Sequence, residues 1–221
     1  SMMQIALDRP WLELDLGTPC QVLSWAVNRP GLVTASRILW REVRNADLPP
    51  ELDVDAWLSD ELRQRQAMDA VTFLTSRDIR QYTQSIVKIG ETAAHAVATV
   101  GFSNAERVGH RVDRAGEDWG TVNVALSLTA ELTEAAMLET MSIAVQARTA
   151  AVVDVKLDLP TGRATGTGTD CVAVASPPGL ARYAGLHTEI GEAAGRAVYT
   201  AVQDGAREWM AAYRGTKNAT A

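Results

Sequence analysis

The chain has 221 residues, 47% of them hydrophobic and 22% charged, with a formal net charge of −6. That composition suits a folded globule rather than a disordered chain, and the acidic balance disfavours non-specific nucleic-acid binding, which needs a basic face. No apolar run reaches the roughly 20 residues that span a bilayer, no charged and apolar leader opens the chain, and Cys20 and Cys171 are too few for a disulfide framework, so a cytoplasmic protein without membrane contact is expected.

Trp11 to Val22 alternates apolar and polar residues around Gly17-Thr18-Pro19 and is predicted as a hairpin. Leu23 to Val43 continues with strand-like patches, interrupted by the turn signal Asn28-Arg29-Pro30-Gly31. From Val54 to Gln66 the residues Val54, Trp57, Leu58 and Leu62 recur at helical spacing, with Asp53 and Asp55 early and Arg63 and Arg65 late, as the helix dipole favours. Ala70 to Leu74 reads as a short strand, and Thr75-Ser76-Arg77-Asp78 as a capping box with Thr75 as the cap. Ala94 to Phe102 is predicted as a buried strand entering a loop, and Val108 to Asp118 as a surface loop.

The second half begins with a strand from Thr121 to Leu128. Thr133 is expected to cap a helix to about Val153, with Met137, Leu138, Met141, Ala144, Val145 and Arg148 spaced at three and four. Asp154 to Leu159 alternates as a strand, Pro160-Thr161-Gly162 turns, and Ala164 to Ala175 is a Gly/Thr-rich entry followed by a strand. After the loop Ser176-Pro177-Pro178-Gly179, Thr188 caps a final helix to about Tyr213. Its small-residue face, with Ala193, Ala194, Ala197 and Ala201, permits close packing within the chain or across a homodimer. The order of elements predicts an α+β fold: a single domain over residues 1–221, with one mixed or antiparallel β-sheet, or two layered sheets, packed by long α-helices.

One internal echo stands out. Gly120-Thr121-Val122-Asn123-Val124 and Gly168-Thr169-Asp170-Cys171-Val172 each open a strand that leads to a long helix. Either this is a structural repeat or Gly-Thr is simply a common strand opening.

Four segments carry side chains suited to chemistry. In Thr165-Gly166-Thr167-Gly168-Thr169-Asp170 the alternating glycines allow close backbone approach, and three hydroxyls and a carboxylate project from one loop. No Lys follows and no helix opens directly after it, so it is neither a P-loop nor a dinucleotide fingerprint. His187 stands just before a helix, where the positive end of the dipole favours a neutral base, with Glu189 and Glu192 close by. Asn104 lies at the end of a predicted strand, where side chains commonly serve a pocket, and Asn123 has the same setting. His95, His110 and His187 form no ligand pair, so neither a metal site nor a cofactor is expected, and Cys171 reads as a small core residue.

In order along the chain, Leu23-Ser24-Trp25-Ala26-Val27, Leu74-Thr75-Ser76-Arg77-Asp78, Gly101-Phe102-Ser103-Asn104-Ala105, Gly120-Thr121-Val122-Asn123-Val124, Gly166-Thr167-Gly168-Thr169-Asp170 and Tyr183-Ala184-Gly185-Leu186-His187-Thr188-Glu189-Ile190-Gly191-Glu192 resemble the adenosylcobinamide amidohydrolase family. The resemblance spans about residues 20 to 205. It implies an enzyme of corrinoid salvage that hydrolyses the amide between the corrin propionyl side chain and aminopropanol, releasing adenosylcobyric acid. Arg29-Pro30-Gly31 stands where the family pattern has a Gly-Gly turn, which bears on corrinoid preference.

Amide hydrolysis needs a nucleophile or activated water, donors for the oxyanion, and an acid for the leaving amine. The candidate catalytic residues are Asp170 or His187 as base, Thr167 or Thr169 as hydroxyl, with water as the alternative nucleophile, and His187 or Glu189 as acid. Asn104, Thr121, Asn123, Thr75, Trp25 and Trp119 are the candidate substrate-binding residues, the two indoles because a corrin is broad, flat and largely apolar. The acidic balance suits a substrate with a positive cobalt centre. The competing reading is a corrinoid-binding protein that kept the pocket without the reaction.

Overall fold

The computed structural model describes residues 4–112 and 120–219. In chain order these form β1 (Gln4–Asp8), β2 (Trp11–Ser24), β3 (Gly31–Glu42), α1 (Val54–Arg65), β4 (Val71–Thr75), β5 (Thr83–Ile89), β6 (Thr92–Val100), β7 (Ala105–Glu106), β8 (Val122–Leu128), α2 (Glu134–Asp154), β9 (Asp158–Leu159), β10 (Gly162–Arg163), β11 (Gly166–Thr167), β12 (Cys171–Ser176) and α3 (Glu189–Ala219). Strands run β4-β3-β2-β12-β8-β6-β5 in one mixed sheet, with β1 against the first half of β2. The β3–β4 and β8–β12 pairs are parallel and the rest antiparallel. The fold is α+β.

Three apolar clusters show how the layers stack. Alternate residues of one strand face opposite ways. Val124 and Leu126 of β8 and Val172 and Val174 of β12 point into a cluster with Ala144, Ala151, Ala194 and Val198 of α2 and α3. The intervening Ala125, Ala173 and Ala175 join Leu12, Leu14, Ile38, Trp40 and Phe73 from β2, β3 and β4. Leu39 and Leu74 face a third cluster, under Leu58 and Leu62 of α1. The sheet therefore folds over on itself, with helices outside both halves. A hydrogen bond across the fold makes the point directly. β4 and β8 are separated by three strands in the sheet order, yet Asn123 Nδ2 donates to the Leu74 carbonyl at 2.9 Å.

Several local expectations hold. α1 forms over Val54–Arg65 as expected, and Asp53, expected only as an early acidic residue, also caps it by accepting from the Ala56 N–H at 3.1 Å, while Thr133 caps α2 from the Ala136 N–H at 3.2 Å. Thr188 caps α3, its Oγ1 accepting from the Gly191 N–H at 2.9 Å. Three expectations fail. Gly17-Thr18-Pro19 is not a hairpin turn. β2 continues through it, and the register steps from Asp15↔Arg37 to Cys20↔Ala35, so β2 bulges against an uninterrupted β3. Gly17 takes a left-handed φ of +82°, and its N–H donates to Asp15 Oδ1 at 2.8 Å. Asp154 ends α2 instead of opening a strand, and only Asp158–Leu159 pairs, because Val152 and Val155 still bury on the helical face. Thr75 closes β4 and caps no helix, while Asp78 caps a short 3₁₀ turn by accepting from the Arg80 N–H at 3.0 Å.

The internal echo is in register. Cys171 pairs with Asn123 and Val172 with Val124. The two Gly-Thr openings thus enter parallel neighbouring strands, each followed by a long helix on the same face.

Candidate active site

Five segments far apart in sequence meet at the edge where β8 and β12 begin. The Thr121 hydroxyl donates to the Thr169 carbonyl at 2.6 Å, and the Thr169 hydroxyl donates to the Gly120 carbonyl at 3.3 Å, so the paired openings lace together. The loop after β6 joins through two bonds: the Gly168 N–H donates to the Asn104 carbonyl at 3.1 Å, and Asn104 Nδ2 donates to Thr169 Oγ1 at 3.0 Å. The segment after β2 joins through Trp25, whose indole N–H donates to the Asp170 carbonyl at 2.7 Å. The end of β4 joins through the Leu74–Asn123 bond.

Asp170 organises the loop. Its side chain is 7% exposed. Oδ1 accepts from the Val122 N–H at 3.2 Å and from the Thr167 hydroxyl, and Oδ2 accepts from the Thr167 N–H at 3.1 Å and from Arg148 of α2. A carboxylate offers about four acceptor positions, and four donors occupy them. Burial pushes the Asp170 pKa up, while Arg148 and the hydrogen bonds from Thr167 and Val122 pull against it. As placed, the carboxylate is an anchor with no lone pair left to take a proton from substrate or water. The Thr167 hydroxyl is likewise committed.

Thr169 differs. Its residue is exposed, and its hydroxyl spends its proton on Gly120 and one lone pair on Asn104, leaving a lone pair free. It lines a cavity of about 270 Å³ with Trp25, Val27, Leu74, Asn123 and Cys171. Trp25 is 49% exposed at this cavity. Burial raises the Cys171 thiol to about 12, which keeps it protonated and unreactive at neutral pH. On the other side of the Gly166–Asp170 loop a second cavity of about 680 Å³ is lined by Arg107, Arg111, Arg148, Thr165 and Thr167. Arg29, in the turn that departs from the family pattern, is committed to the Thr34 and Asp69 carbonyls, both at 2.7 Å.

The other expected site residues are placed as follows. Thr75 is buried next to the site but turned aside, its Oγ1 accepting from the Arg77 N–H at 3.0 Å. Trp119 lies outside the described residues. His187 and Glu189 stand at the opposite end of the sheet. Ala184 donates to Glu139 near the start of α2, and the Glu189 carboxylate lies over Gly90 in the β5–β6 turn. The register puts that turn beside Leu128, at the far end of β8, a strand length of roughly 20 Å from Asn123. The structure does not bring these two residues to Thr169 and Asp170. Conversely, Arg148, which the sequence places only on the stripe of α2, belongs to the site through Asp170. A cation within an otherwise apolar helical stripe was the available signal.

A family model described as adenosylcobinamide amidohydrolase matches residues 2–214. No curated protein matches the sequence. Among solved structures, the PH0078 protein from Pyrococcus horikoshii OT3 aligns over 88% of this chain and 76% of its own, with 9% identity and a TM-score of 0.47. A Burkholderia sp. beta-aminopeptidase aligns over 88% and 78%, with 11% identity and a TM-score of 0.45. At these scores neither likeness informs the fold or the chemistry.

Proposed function

Because the chain belongs to the adenosylcobinamide amidohydrolase family, we propose that it hydrolyses the amide between the corrin propionyl side chain and aminopropanol of adenosylcobinamide, giving adenosylcobyric acid. The observation that carries this reading is the family match along nearly the whole chain. Support also comes from the meeting of five of the six motif segments at one edge of the sheet. The coarser statement stands by itself: the chain is of an amidohydrolase family acting in cobinamide processing. Among the described residues no helix is long and apolar enough to cross a membrane.

The reaction breaks the amide C–N bond and forms a C–O bond from water, leaving a carboxylate on the corrin and a protonated amine on aminopropanol. In this reading the Trp25 indole takes the apolar ring at the cavity mouth. The free lone pair of the Thr169 hydroxyl, oriented by Asn104 and Gly120, accepts a hydrogen bond from the attacking water, whose oxygen joins the carbonyl carbon and whose proton goes to the leaving amine. Asp170, locked by Arg148, Thr167 and Val122, fixes the loop that carries Thr169, so the hydroxyl is positioned before substrate arrives.

The test is incubation with adenosylcobinamide and detection of free aminopropanol. Release that scales with enzyme supports hydrolysis. A coloured, corrinoid-bound protein that releases no aminopropanol makes the chain a binding protein, and no corrinoid binding at all removes the substrate assignment.

A further inference from the structure

Another cavity, of about 490 Å³, opens at the far end of β8 from Thr169. Its origin lies in unequal strand lengths. β12 stops at Ser176, opposite Gln21, whereas β2 extends past that point through Cys20, the Gly17 bulge and Leu16. The space beyond the end of β12 is walled mainly by apolar groups, among them Leu16, Ile86, Ala93 and Pro177. Ile86 is 69% exposed there, a large apolar side chain left uncovered on an edge strand.

Two polar side chains of this wall are more than nine-tenths buried and stand side by side. His95 of β6 pairs with Ser127 of β8, so both leave the sheet on the face opposite α2 and α3, with Cβ atoms roughly 5 Å apart. His95 is 6% exposed and Ser127 4%. His95 Nε2 meets Gln84 Oε1 at 2.9 Å. That oxygen can only accept, so Nε2 carries the proton and Nδ1 is left as an acceptor without a partner. Ser127 Oγ has no hydrogen-bond partner among the described residues either. Their neighbours are satisfied: Cys20 Sγ donates to the Thr18 carbonyl at 3.5 Å, and Thr129 Oγ1 accepts from the Ala93 N–H at 2.9 Å. Buried polar groups are nearly always paired, so an unpaired hydroxyl beside an unpaired ring nitrogen points to a ligand group that completes both.

Charge narrows the ligand. The wall holds no Lys, Arg, Asp or Glu. Burial lowers the His95 pKa from its ordinary 6.5, so the ring is neutral at neutral pH. An anion or a cation would be desolvated here without a counter-charge. We infer that this cavity is a binding site for a neutral, largely apolar molecule carrying a hydroxyl, which donates to His95 Nδ1 and accepts from Ser127 Oγ. Apolar walls with a few convergent polar groups, at this volume, are what small-molecule sites are made of. The site is separate from the cavity at Thr169 and does not depend on the amide reaction.

The experiment titrates the full chain with 2-naphthol, followed by its fluorescence, against naphthalene, which lacks the hydroxyl, and 2-naphthoate, which is anionic. Wild type is expected to bind 2-naphthol one to one, at least about 10-fold more tightly than either comparator. Ser127→Ala and His95→Leu should each weaken 2-naphthol binding about threefold or more and leave naphthalene binding unchanged. Thr169→Val, in the other cavity, should leave 2-naphthol binding as in wild type. If His95→Leu fails to fold, a Ser127→Ala that melts normally carries the comparison. No saturable binding, equal affinity for naphthalene, preference for 2-naphthoate, or wild-type affinity in a folded Ser127→Ala overturns the site. Loss of binding in Thr169→Val alone also overturns it, because the probe would then sit in the cavity beside Trp25.

Discussion

Thr167 and Thr169 sit two residues apart in one loop, yet their hydroxyls serve different partners. Thr167 gives its proton to a buried carboxylate, and Thr169 keeps a lone pair open at the cavity. Substitution should separate these roles. Thr169→Val keeps the shape and removes the hydroxyl, so aminopropanol release per folded molecule should drop at least about 100-fold in this reading, beside a stability loss of about 1–3 kcal/mol from the unpaired Asn104 Nδ2. Thr167→Val removes a hydrogen bond to a charged group, worth about 1.5–3 kcal/mol, and should appear first as lowered stability. Wild-type turnover in Thr169→Val would remove the hydroxyl from the mechanism. Asp78 offers a prediction in pH. Bonds from Arg80, with longer-range help from Arg9, hold its carboxyl near 2, below the ordinary 3.8. Stability from a depressed carboxyl is fully present above the unfolded value and is lost as pH falls through the folded one. Between about pH 4 and 2 the melting temperature should therefore fall, and Asp78→Asn should flatten that part of the profile. An unchanged slope in the variant would assign the acid sensitivity elsewhere.

At the scale of elements, α3 shows why one position must be glycine. Thr188 Oγ1 accepts from the Gly191 N–H and donates to the Gly185 carbonyl at 2.8 Å, drawing residues 184 and 185 over the helix start. A Cβ on Gly191 would lie 2.0 Å from the Gly185 oxygen and 2.6 Å from that of Ala184. Both are backbone atoms that cannot swing away. Gly191→Ala should cost about 2–3 kcal/mol of stability. Because this turn lies at the far end of β8, turnover per folded molecule should be unchanged. A matching loss of turnover would return His187 and Glu189 to the site. Helices were legible in the sequence where cap and periodicity agreed, as at Thr133 and Thr188. The bulge at Gly17 was not, because a local turn signal cannot reveal that β3 runs past it without reversing. Thr75 misled for a similar reason. A capping pattern needs a helix after it, and the chain supplied only a 3₁₀ turn capped by Asp78.

For the molecule as a whole, the decisive event is the folding-over of one sheet. It brings the end of β4 onto the start of β8, across three intervening strands. Nothing in the local pattern announces this, so the sequence offered candidate residues without their grouping. Asn104, Asn123, Thr169 and Asp170 were legible as polar side chains at strand ends. The pairing of Arg148 with Asp170, and the separation of His187, depend on packing between distant segments. Asn123 is the joint where architecture and site coincide. It is 1% exposed, it lines the cavity, and its side-chain bond to Leu74 ties the two layers together. Asn123→Ala would leave the Leu74 carbonyl without that donor, at a cost of about 1–3 kcal/mol. It would also free one cavity wall from the other. Stability and turnover should therefore fall together, read by thermal unfolding and aminopropanol release from the same preparation. A variant that melts as wild type and keeps its turnover would show that the layers are held in register by the apolar cluster in which Trp40 and Phe73 meet Ala125, Ala173 and Ala175 across the fold, and that the Leu74 bond only follows.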